Sequence, residues 1–93
     1  MNITLLFKSI ITTEETYPSS YELRFRREFR IKEYKDENEL IEIFMKAAHD
    51  FEELTYQGMK FAGSTTEILG ITFIHDAKTS ELLDLARLGI ERI

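Results

Sequence analysis

Tyr21-Glu22-Leu23-Arg24-Phe25-Arg26-Arg27-Glu28-Phe29-Arg30-Ile31-Lys32-Glu33-Tyr34 alternates almost without a break. Leu23, Phe25, Phe29 and Ile31 fall on one face of an extended chain. Glu22, Arg24, Arg26, Glu28, Arg30 and Lys32 fall on the other, because successive side chains of a strand point to opposite sides. Arg27 interrupts the apolar face. The pattern predicts a strand over residues 21–34 with one buried and one wet face, as in an antiparallel sheet covered on one side.

Upstream, residues 2–13 read as a second strand. Ile3, Leu5, Phe7 and Ile11 share a face, while Leu6 and Ile10 lie opposite. The isoleucines and threonines suit extended backbone. Between the two strands, Tyr17-Pro18-Ser19-Ser20 carries turn chemistry, with φ fixed at Pro18. The two strands are therefore expected to form a long antiparallel hairpin.

Downstream, residues 37–57 predict a helix. Asp36 with Glu39 three residues on resembles a capping box. Leu40, Phe44, Ala47, Phe51 and Leu54 form an apolar stripe, and Gly58 is placed as its left-handed stop. Residues 60–66 read as loop. Glu67 to His75 reads as a strand whose continuous run, Ile68, Leu69, Ile71, Phe73 and Ile74, suggests the middle of the sheet. A second helix is expected over 79–88, with Asp76 available as its cap and Gly89 ending it beside Ile90. The order is strand, strand, helix, strand, helix, with room for a short final strand at 90–93. The fold class is α+β: a three- or four-stranded sheet with the helices on one face, in a single domain over 1–93.

Composition limits the function classes. Hydrophobic residues are 43% and charged residues 31% of the 93, with seven Phe and four Tyr to build a core, so the chain is globular. There is no Cys, which excludes thiolate chemistry and disulfide staples and points to a reducing, cytoplasmic setting. No apolar stretch approaches the ~20 residues of a membrane span. The net charge of −5 is uneven: residues 1–35 hold seven basic and five acidic side chains, and residues 36–93 hold five basic and twelve acidic.

Two charged faces are candidate binding surfaces. One is the basic ribbon, Arg24, Arg26, Arg30 and Lys32 with Arg27 beside it, spaced at ~6.6 Å on alternate residues. Arginines at that spacing grip phosphates or carboxylates. Interleaved Glu22, Glu28 and Glu33 would instead neutralise them and leave a solvated face. The other is the acidic helix face, Glu39, Glu42, Asp50 and Glu53, interrupted by Lys46 in i,i+4 relation to Glu42. Lys60 would sit in a contact loop. His49-Asp50 and His75-Asp76 contain the only histidines and would ligate a metal or supply an acid–base pair only if they converged. Gly58 to Thr65 superficially resembles a phosphate loop, but it lacks the lysine after the second glycine and follows a helix. No triad order or dinucleotide fingerprint is present, and no cofactor is implied.

Three functions follow as expectations. The first is a non-enzymatic binding domain, of inhibitor or adaptor type, docking on a protein partner through the hairpin or the acidic helix. The second is nucleic-acid binding by the ribbon. The third is a small metal-assisted hydrolase using the two His-Asp pairs. The hairpin edge also allows a homodimer.

Overall fold

A computed structural model of the chain describes residues 1–14, 19–55 and 61–93. Its elements are β1 (Asn2–Thr13), β2 (Ser20–Arg30), α1 (Glu37–Thr55), β3 (Phe61–His75) and α2 (Thr79–Arg87). The predicted order and the α+β class hold. The three strands form one antiparallel sheet in the order β2-β1-β3. The hairpin register is unbroken, pairing Asn2 with Arg30, Phe7 with Phe25 and Thr12 with Ser20.

The alternation in β1 decides the layering. Ile3, Leu5, Phe7 and Ile11 are buried, and Ser9 and Thr13 share their face. A single core cluster joins Ile3, Leu5 and Phe7 to Phe25 and Phe29 of β2, Ile71 of β3, Leu40, Phe44 and Ala48 of α1, and Leu85 of α2. Both helices therefore cover this inner face and leave the outer one open. Aromatic contacts hold α1 down: Phe29 meets Phe44 edge-on at 4.9 Å and Phe25 stacks on Phe51 at 4.4 Å between centroids, worth about 0.5–1.5 kcal/mol each beyond the buried area.

The middle of the sheet belongs to β1, correcting the expectation for the third strand. β3 begins at Phe61, so residues expected as loop are extended. Its register against β1 shifts between Leu6 and Phe7 and between Thr4 and Leu5. Leu69 and Thr72 are the extra residues, and Ile68, Ile71 and Ile74 consequently oppose Phe7, Leu5 and Ile3. A bulge adds one residue and resets the facing. The unbroken apolar run thus arises from bulges at a sheet edge and not from burial on both faces.

In place of a short final strand, residues 91–93 make a single isolated bridge to β3. Ile71 N–H donates to Glu91 O at 2.8 Å and Ile93 N–H to Ile71 O at 3.0 Å, a parallel bridge. Gly70 makes this possible. A Cβ there would lie 2.3 Å from Ile93 Cγ1 and 2.7 Å from Glu91 O.

The helix ends follow the sequence signals in part. Asp36 Oδ1 accepts from Glu39 N–H at 2.9 Å, while the Glu39 carboxylate reaches Lys35 N–H. α2 ends as expected: Gly89 at φ 75°, Gly89 N–H to Ala86 O, and Ile90 N–H to Leu85 O, the Schellman pair of bonds. Asp76 is not its cap. It sits at φ 56°, a left-handed conformation that Asp tolerates better than most residues, and Glu81 closes the first turn onto Lys78 N–H at 2.8 Å. The stop assigned to Gly58 lies outside the described residues. Among the described residues no helix is long and apolar enough to cross a membrane.

Candidate functional site: the open face of the sheet

Residues of even number on β1 and β2 point away from the helices and form the floor of the outer face. Across it run rows set by register: Arg30–Asn2–His75, Glu28–Thr4–Phe73, Arg26–Leu6–Gly70, Arg24–Lys8–Glu67 and Glu22–Ile10–Thr65. Phe73 is 52% exposed and Ile10 41%. A hollow of about 200 Å³ lies beside Phe73, bordered by Asn2, Thr4, Glu28 and Arg30.

The structure sorts the basic ribbon. Arg24 pairs with Glu22 at 3.4 Å along its own strand. Lys8 lies between Glu22 at 3.5 Å and Glu67 at 3.7 Å. Arg26, Glu28 and Arg30 make no ion pair among the described residues, so of the ribbon's basic residues only Arg24 is paired there. Two expected members fall elsewhere. Arg27 lies on the inner face, its guanidinium 5.4 Å from the Phe51 ring centroid and its Nε buried without an acceptor among the described residues. β2 ends at Arg30, and Lys32 lines an open cleft of about 550 Å³ between the β2–α1 connection and the start of α2. Tyr34 lies in the same cleft and donates to Asp84 at 2.5 Å. Burial, with that bond to a carboxylate, pushes the Tyr34 hydroxyl well above the usual tyrosine range.

The acidic helix face is exposed at Glu42, Asp50 and Glu53, whereas Glu39 is partly buried in its capping role. Lys46 bonds Asp50 at 2.9 Å and not Glu42. Leu54, expected on the apolar stripe, is 71% exposed. The buried positions are Leu40, Phe44, Ala48 and Glu52. Steps of four advance about 40° around a helix, so the contact line rotates as α1 follows a twisted sheet. Lys60 lies outside the described residues.

Glu52, adjacent in sequence to Glu53 of the acidic face, is instead turned inward. It is 4% exposed. Its carboxylate accepts from Ser9 Oγ, from Thr66 Oγ1 and from His49 Nδ1 at 3.1 Å. Burial raises its pKa, but the two hydroxyls and the histidine more than offset this and hold it below the ordinary 4.5. The missed signal was Ser9, a small polar residue in the middle of the apolar face of β1.

The two His-Asp pairs do not converge. His49 stands at Glu52 beside Ser9, whereas His75 opposes Asn2 and contacts Asp76 at 3.2 Å. Ser9 and Asn2 are seven residues apart on one strand, about 23 Å. A shared metal site needs ligand bonds near 2 Å, so the hydrolase reading loses its geometry. Among the described residues no group of three His, Asp or Glu is placed to hold a metal.

Comparison with known protein families, characterised proteins and solved structures finds no match.

Proposed function

We propose that this chain is a small non-enzymatic binding domain that docks on another protein through the open outer face of its sheet. The observation that carries the reading is Phe73, half exposed on an uncovered face, with Arg30 and Glu28, unpaired among the described residues, at the hollow beside it. Exposed aromatics and arginines are enriched where proteins meet. The partner presents an apolar group for the hollow and carboxylates for Arg26 and Arg30. A phosphate polymer fits less well. Lys8, Arg24, Arg26 and Arg30 share the face with Glu22, Glu28 and Glu67, leaving it nearly neutral on a chain of net charge −5, and phosphate binding depends on summed positive charge. The absence of Cys suits a cytoplasmic setting.

The test compares three immobilised proteins at moderate salt: the wild type, the outer-face variant Phe73→Ala with Ile10→Ala, and the helix variant Glu42→Ala with Glu53→Ala. One protein held stoichiometrically by the wild type and the helix variant, but at least tenfold less by the outer-face variant, supports the reading. Equal retention by all three sinks it. So does fluorescence anisotropy showing tight binding of labelled DNA or RNA with a linear log–log salt slope, which would transfer the face to nucleic acid.

A further inference from the structure

The two edges of the sheet differ. β3 is partly covered by Glu91–Ile93 at Ile71, while the outer edge of β2 has no strand beside it among the described residues. The phase of the ladder says what that edge offers. Met1 and Ile31 exchange both backbone hydrogen bonds, at 2.7 and 2.9 Å, and Thr13 N–H donates to Ser19 O at 3.1 Å at the far end. Between them the register never shifts. In an antiparallel ladder directly hydrogen-bonded pairs alternate with unbonded ones. The odd residues of β2 therefore turn their N–H and C=O toward β1. Glu22, Arg24, Arg26, Glu28 and Arg30 turn theirs outward, to the open edge.

We infer that this edge is the interface of a symmetric homodimer, two β2 strands pairing antiparallel about a two-fold axis at Arg26. Charge order selects that register. With the axis at Arg26, Arg24 faces Glu28 of the second copy and Glu22 faces Arg30. The symmetry repeats both, giving four opposed ion pairs against one like pair, Arg26 with its own copy. Moving the axis to Phe25 sets Glu22 against Glu28 and Arg24 against Arg26, all like charges. Moving it to Arg27 sets Arg26 against Glu28 but Arg24 against Arg30, so opposed and like pairs are equal in number. Opposite charges directly across strands stabilise a pairing and like charges oppose it. The chosen register also uses Glu28 and Arg30, which have no ion pair within the chain among the described residues. On the inner face it places Leu23 against Phe29 and the Arg27 guanidinium against Phe25 of the second copy. A two-fold axis normal to the sheet keeps both outer faces on the same side, giving one continuous six-stranded surface.

The chain has no Cys, so introduced thiols report the register without background. Hydrogen-bonded antiparallel partners have Cα atoms ~5.5 Å apart, within the ~4.4–6.8 Å that a disulfide spans. Arg26→Cys is expected to crosslink with itself under mild oxidation. Arg24→Cys or Glu28→Cys alone should not, because each lies about 13 Å along the strand from its own copy, while a mixture of the two should. In light scattering, Glu28→Arg is expected to weaken dimerisation at least tenfold, and adding Arg24→Glu to restore it, with far-UV circular dichroism unchanged throughout. A wild type that stays monomeric up to millimolar concentration overturns the inference. Self-crosslinking of Arg24→Cys as fast as Arg26→Cys overturns the register.

Discussion

A carboxylate that is 4% exposed has to be held by donors, and Glu52 has three, Ser9, Thr66 and His49. They tie α1 to β1 and β3 at a level where the apolar stripe has turned away. Glu52→Ala leaves two hydroxyls without their acceptor, so a loss of about 2–3 kcal/mol is expected, read as a lower urea midpoint at unchanged slope. The pH dependence has a definite sign. Because the folded pKa is depressed, the contribution is complete above the unfolded value near 4.5 and disappears as pH falls through the folded one. Glu52→Gln should therefore flatten the acid limb of the stability curve below about pH 5. Arg27 shows the converse. Its Nε is buried without a partner among the described residues and its guanidinium gains only the Phe51 ring. Arg27→Met keeps the length and removes the orphaned donor, so thermal unfolding should show a Tm equal to or above that of the wild type. A drop of several degrees would mean that the cation–π contact outweighs the cost of the orphaned donor.

At the scale of elements, Gly70 is where the end of the chain meets the sheet. A methyl group there would strike the Ile93 side chain and Glu91 O, and the carbonyl cannot swing aside without losing its bond to Ile71. Gly70→Ala is expected to release residues 91–93 while leaving β1–β2 intact. Hydrogen exchange would show faster loss of the Ile71 and Ile93 amide protons, with Phe7 and Phe25 unaffected. This junction also marks the limit of what was legible in the sequence. The hairpin, the order of elements, the Asp36 start of α1 and the Gly89 ending of α2 could all be read, because each rests on local periodicity or on one residue's φ preference. The bulges at Leu69 and Thr72 could not, since an inward spacing of three in Ile68, Ile71 and Ile74 looks like a continuous run until its partner strand is known. For the candidate site, the alternation of β2 revealed the outer arginines. That Phe73 joins them on the same face depends on where β3 pairs, a non-local fact.

At the scale of the whole molecule, the proposed pairing of two β2 edges has to be reconciled with a net charge that repels a second copy. Each chain carries −5, and much of the acid lies on α1, on the far side of the sheet from the paired outer residues. Repulsion between two such bodies acts over tens of ångströms, whereas the ion pairs proposed between the β2 strands act at about 3–4 Å. Salt separates the two. The screening length is about 30 Å at 0.01 M, 10 Å at 0.1 M and 3 Å at 1 M. Raising salt from 0.01 to 0.1 M removes the long-range repulsion while the close pairs persist. Raising it toward 1 M brings the screening length down to the pair distance itself. The dimer dissociation constant is therefore expected to pass through a minimum near 0.1–0.2 M salt, measurable by sedimentation equilibrium across the series. The charge-swapped protein, Arg24→Glu with Glu28→Arg, has the same net charge and the same opposed pairs, so its minimum should fall at the same salt. Glu28→Arg alone changes the net charge by two units toward zero and places arginines opposite one another. Its dimer should be weaker throughout and should gain more from added salt than the wild type, since arginines then oppose each other at two positions beside the two Glu22–Arg30 pairs that remain.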